Sequence, residues 1–225
     1  MGFSSFCARP LQVAQRLASG ECGGSYIEAC LLISGVISGA ASITWPGEGK
    51  DRKRFVEVWV RYANPALNPN RISVPLLLRW LMKQNRTNDA QRLKALHPRM
   101  FGLGYNTRIV TGDDIDADEG LICSTLPNLL LSEVRAYSYP SIYYRHVRSA
   151  LTHEYELTDH STPYPMTTRP AGVSYANQLV GTASQRRIHF EVPWLVDVAT
   201  SIAANVETLL AGGQPPEPSV WWISP

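Results

Sequence analysis

Residues 24–44, GSYIEACLLISGVISGAASIT, are almost all apolar or small, and Pro46 stops the run. Its length approaches that of a bilayer span. Gly35 and Gly39 would give such a helix a close-packing face. Glu28 interrupts the run, however, and no second span of the kind is read elsewhere. The expectation is therefore a buried central helix rather than a membrane helix, in a chain of cytoplasmic type with no membrane partner. A helix that is apolar all round must be covered on every side, so the remaining segments are expected to wrap it.

The flanking sequence supplies candidates. Residues 10–19 read as a short helix opened by Pro10 and closed by Gly20. Residues 50–63 place Phe55, Val56, Trp59, Val60 and Ala63 on one face. Residues 71–84 and 87–96 read as two more helices, the second capped by Thr87 or Asn88. The 98–125 region reads as irregular. Residues 127–153 carry a long helical pattern that Pro140 must kink or split. Residues 173–180 and 186–192 read as two strands joined by GTASQ, with Ile188, Phe190 and Val192 on one face and Arg187, His189 and Glu191 on the other. Residues 194–211 form a last amphipathic helix, ended by Gly212 and Gly213. The fold class that follows is mainly α: one helical bundle over 1–213, with a β-hairpin at about 173–192 inserted before the last long helix. A Pro- and Trp-rich tail, 214–225, is either disordered or docked on a partner or on the chain's own body.

Composition narrows function only a little. Net charge is +2, too weak to announce nucleic-acid binding by bulk charge. Lysine occurs only at 50, 53, 83 and 94, so arginine carries most of the basic charge. Arginine suits fork-like phosphate contacts, although a preference for arginine codons gives the same bias. The cysteines at 7, 22, 30 and 123 form no C-x-x-C pair and have no histidine cluster beside them. They read as reduced thiols, and no metal or other cofactor is expected. The first residues, MGFSSFCARP, lack the features of a signal peptide, and Phe6 breaks the myristoylation pattern.

Three local patterns read as ordinary. Asp114, Asp116 and Asp118 have the opening spacing of a calcium loop, but the glycine falls one place late and Thr125 stands where the closing carboxylate belongs. That run reads as a solvated loop. Asp159-His160-Ser161 holds triad residue types side by side, yet neighbours on an extended loop point apart, so it reads as a polar loop. His189 projects from the polar face of the second strand and is kept as a further candidate for lining a groove.

The segment YYRHVRSALTHEY, 143–155, is where chemistry can be argued. Arg148 and His153 make R-x4-H. RNA cleavage by the neighbouring 2′-hydroxyl needs a base to take that proton and a cation to hold the phosphate as charge builds. A histidine near neutral pKa serves the first need and an arginine the second, with no metal. The same spacing recurs from Arg92 to His97, where Pro98 follows and the pattern reads as a plain helix end. At 148–153 the small polar Ser149 follows the arginine and Glu154 follows the histidine. Both count as supporting residues. Arg145 is a further candidate, and otherwise Arg145 and His146 read as a polar fringe. Residues five apart on an ideal helix lie about 140° apart around its axis. A joint site therefore requires a distorted helix or a second copy of the chain across a two-fold axis.

RSALTHE, inside a mostly helical domain, resembles the R-x4-6-H motif of the HEPN superfamily. The resemblance implies a dimerising helical bundle and, in many members, a metal-independent endoribonuclease. Such members act as toxins, antiviral defence effectors or RNA-processing subunits. Carried over, Arg148 would hold or orient the phosphate, His153 would be the base or acid, and Ser149 would fill the polar position that supports them. The implied partners are an RNA substrate, a second copy forming a composite site, and an antitoxin or other protein. Ser149 departs from the commoner Asn or Asp, and the hairpin before the last helix is a second departure. The alternative is a non-catalytic binding or dimerisation module, using the Trp-Trp tail and Tyr137, Tyr139, Tyr143 and Tyr144 as contact surfaces.

Overall fold

A computed structural model describes residues 2–102, 104–164, 171–180 and 183–223. The apolar run forms helix α2, Tyr26–Thr44. Its start is fixed by a capping box: the Ser25 hydroxyl accepts from Ile27 N at 3.2 Å, and the Glu28 carboxylate accepts from Ser25 N at 3.0 Å. Glu28 is thus a cap residue, not a charge inside the apolar body. The Ser25 and Tyr155 hydroxyls on that carboxylate hold its pKa down to about 2. Ala29, Cys30, Ile33, Ile37 and Ala40 are buried against α1 (Phe3–Ala18), α3 (Asp51–Tyr62) and the last helix, α11 (Val192–Ala211). Truncating Ile33 here would cost about 2–5 kcal/mol. Gly35 is exposed, and a side chain there would meet no neighbouring element, so the expected close-packing seam is not used there. α11 is also long and apolar enough to cross a bilayer by length and composition, so α2 is not the single run of that kind that the sequence leads one to expect.

α1 begins seven residues before Pro10. Phe3, Cys7, Leu11 and Ala14 form a stripe against α2 and α11. That burial carries the helix past the missing proline N–H. Helices α4 (Val74–Lys83) and α5 (Thr87–Leu96) follow. Arg86, not Thr87 or Asn88, is the residue before α5, and it makes no side-chain cap. The region expected to be irregular holds strand β1 (Val110–Thr111) and helices α6 (Gly112–Ile115) and α7 (Glu119–Thr125). The long helical pattern is broken once, after α8 (Leu131–Arg135), and then runs continuously through α9 (Tyr139–Tyr143), a π-helical turn at Tyr144–Arg148, and α10 (Ser149–Glu154). Pro140 does split the helix: it lies in the first turn of α9, where its absent N–H costs nothing.

The hairpin precedes α11 as expected. Strands β2 (Val173–Val180) and β3 (Ala183–Phe190) pair antiparallel from Val173↔Phe190 to Val180↔Ala183. The connection is two residues rather than the pentapeptide GTASQ, and β1 adds a third strand beside β2. Residues 160–162 lie along the outer edge of β3: Ile188 N donates to His160 O at 2.8 Å, and Thr162 N to Ile188 O at 3.0 Å. The tail docks on the chain's own body. Trp45 Nε1 donates to Pro216 O at 3.1 Å. The Arg135 guanidinium covers the Trp222 ring at 3.9 Å. Tyr139 and Tyr143 are buried packing residues, not contact surface.

Candidate functional site

The R-x4-H pair does not converge within one chain. The π turn is closed by Ser149 N donating to Tyr144 O, and from Ser149 onward the helix is α. The distortion therefore ends at Arg148 and leaves the Arg148–His153 offset of about 140° in place. Arg148 is half-buried, with its guanidinium 5.1 Å from the Tyr144 ring centroid. Ser149 is half-buried, while His153 and Glu154 are exposed at the end of α10. The helix stops there because Tyr155 takes a left-handed conformation, φ 54°, and its hydroxyl ties back to Glu28 Oε1 at 2.7 Å. His153 makes no hydrogen bond or ion pair with the described residues.

The wide turn instead builds a site from its other histidine. His146 is half-buried, not a polar fringe. Its carbonyl accepts from Ser161 Oγ at 2.9 Å, and its Nδ1 lies 2.9 Å from Thr158 Oγ1. These bonds fasten the 158–161 loop to the helix from one side, and the edge pairing with β3 fastens it from the other. His160 is thereby stacked on His146, ring centroids 4.3 Å apart and planes 19° apart. The loop read as merely polar is thus structured, and Ser161 is buried. The His160 ring itself makes no hydrogen bond with the described residues.

Cations surround this pair. Arg145 is exposed beside His146, and Arg52 is close enough for its charge to act on that of Arg145. Arg79 and Lys83, one helical turn apart on α4, also act on His160, and Arg79 acts on His146 as well. Burial first, then the neighbouring His160, Arg145 and Arg79, push His146 down to about 3. Burial, then Arg79 and Lys83, push His160 down to about 4, with Asp159 acting the other way. Both imidazoles are thereby held neutral at physiological pH by burial and cationic surroundings.

His189 is not a surface group: it is 2% exposed, its Nδ1 lies 3.0 Å from Thr162 O, and its ring packs 4.9 Å from that of Tyr26. Tyr26, at the start of α2, packs on the face that strand alternation alone assigned to solvent. Asp116 also departs from the expected solvated loop, at 6% exposed. It accepts from the Tyr139 and Tyr175 hydroxyls, each at 2.6 Å, and from Val74 N at 2.9 Å. Burial outweighs these bonds and raises its pKa to about 7. Tyr139 also lines a cavity of about 600 Å³ with Arg71, Asp113, Glu191, Trp194 and Asp197. No group of three metal-ligating side chains occurs among the described residues. The chain matches no family model, no curated protein and no solved structure.

Proposed function

We propose that the protein is a metal-independent endoribonuclease whose chemistry runs at the His146–His160 pair. The observation that carries this reading is two imidazoles stacked at 4.3 Å with the charges of Arg145 and Arg79 acting on both. His160, with no hydrogen bond holding its ring, is the base. It takes the proton of a ribose 2′-hydroxyl while that oxygen attacks the adjacent phosphorus. The P–O5′ bond breaks, the leaving oxygen takes a proton from water, and the hydroxide so formed takes the proton back from His160; the products are a 2′,3′-cyclic phosphate and a 5′-hydroxyl. Arg145 and Arg79 balance the charge that builds on the phosphoryl oxygens. His146 is a positioning residue that holds the His160 ring by stacking.

The HEPN-like pair, Arg148 and His153, supports a second form of the same reading. An exposed histidine without a bonding partner is available to a second copy of the chain, and a two-fold dimer through α10 would set Arg148 of one copy against His153 of the other. A cleavage assay in EDTA separates the two. His160→Ala is expected to lower the rate by about 10²–10⁴, whereas Arg148→Ala and His153→Ala leave it within about threefold. The reverse pattern would move the chemistry to the dimer. Absence of cleavage by the unaltered protein, with RNA still bound, would support a non-catalytic module.

A further inference from the structure

A second feature lies beside the histidine pair. A cavity of about 410 Å³ opens between α4 and the hairpin, lined by Arg79, Lys83, Tyr105, Asn177, Gln185 and Arg186 among others. It holds three cations and no carboxylate among its described lining residues. Like charges gathered in a recess repel one another unless an anion joins them.

Arg186 fixes the cavity's character. It follows the alternation of Ile188 and Phe190 and therefore lies on the inner face of β3, 6% exposed. Its guanidinium is held by the carbonyls of Arg108 at 2.8 Å, Tyr175 at 3.4 Å, and Tyr105, and it stands 4.2 Å over the Tyr105 ring. Carbonyl oxygens leave its net charge uncompensated, and its Nε is buried with no partner. Arg79 donates to Gln185 but keeps a buried Nη1 with no partner. The Asn177 side-chain oxygen is also buried without one. Unsatisfied donors on two arginines in one recess call for an acceptor of negative charge, and phosphate oxygens meet that need.

We propose that this cavity binds a phosphate group of the RNA strand, one or more nucleotides away from the bond cut at His160. The inference rests on the nuclease reading for the direction of the strand, but phosphate binding itself does not depend on cleavage. Arg79 and Lys83 join the two places, since both line the cavity and both act on His160. A strand crossing from the cavity to the histidines meets Arg79 and Lys83 on the way.

Calorimetry with 5′-AMP, adenosine and a 5′-hydroxyl oligouridylate tests the proposal at low salt. AMP is expected to bind at least about tenfold more tightly than adenosine. Asn177→Asp places a carboxylate in the recess with almost no change of shape and is expected to weaken AMP by about tenfold or more. Lys83→Gln, at an exposed position, is expected to weaken it by about threefold. The oligouridylate, which carries only diesters, is expected to displace AMP. Equal binding of AMP and adenosine, or unchanged binding by a folded Asn177→Asp protein, would overturn the site. AMP binding that the oligouridylate cannot displace would overturn the strand assignment. AMP binding without RNA cleavage keeps the phosphate site and removes the nuclease reading, whereas cleavage without AMP binding does the opposite.

Discussion

Arg148–His153 and His146–His160 lie on the same short stretch of helix and its following loop, yet they are different kinds of pair. The first is made by spacing along the chain, and the fold leaves it apart, one member over Tyr144 and the other in solvent. The second has no motif spacing, and the fold stacks its rings at 4.3 Å. A π turn, a hydroxyl on a helix carbonyl and an edge pairing with β3 supply that contact. A motif gives the separation of two residues along the chain, whereas reactivity depends on their separation through space and on the charges around them.

The comparison can be broken most readily at the arginines. Arg145→Gln and Arg79→Gln, which remove charge beside the stacked pair, are each expected to slow RNA cleavage by about 10–100-fold. Arg148→Gln is expected to change it little in a monomer. A larger loss from Arg148 than from Arg145, in a protein that sediments as a dimer, would reverse the comparison.

The acid limb of the rate profile gives the next effect. A base whose pKa is pushed to about 4 stays neutral well below the usual histidine range. The rate constant kcat/KM should therefore fall only as pH drops through about 4, and a fall centred near 6.5 would assign the base elsewhere.

Stability against pH sharpens the same point. His146 and His160 have folded pKa values below their unfolded ones, so the unfolded chain binds more protons from about 6.5 down to about 4 at His160 and about 3 at His146. Their contribution is full above the unfolded value and is lost as pH falls through that window. Asp116 acts in the opposite sense. Its folded pKa is raised to about 7, so its contribution is present below the ordinary carboxylate value near 4 and is lost as pH rises toward 7. Thermal melts from pH 7 to 4 should thus show a fall in Tm on acidification that is weaker in His160→Ala and steeper in Asp116→Asn. Identical slopes in all three proteins would contradict the burial of these groups. The smallest expected effect is on His153→Ala, which should alter stability by no more than about 0.5 kcal/mol, measured by denaturant unfolding, because the side chain is exposed and unbonded.

Much of the scaffold was legible in the chain. The apolar run, its stop at Pro46, the break at Pro140, the hairpin before α11 and the glycine end of α11 all follow from local patterning, and each is present. Local patterning failed where tertiary contact overrides it. Pro10 reads as a helix start, but burial of the Phe3–Cys7–Leu11–Ala14 stripe carries α1 across it. Asp116 reads as solvated because its neighbours are acidic, whereas Tyr139 and Tyr175 close over it from separate elements. Arg186 had a usable signal, since it shares the parity of Ile188 and Phe190 and so belongs to the inner face. His160 had none, because nothing in DHS states that the loop will lie along β3.

The most direct test of the account is an NMR titration of the histidine side chains with ¹⁵N-labelled protein. His146 and His160 should stay neutral down to about pH 4, and replacing either one should shift the resonances and the titration of the other. Independent titration of both near 6.5, unchanged by replacement of the partner ring, would show that the fold does not bring them together and would contradict the central claim.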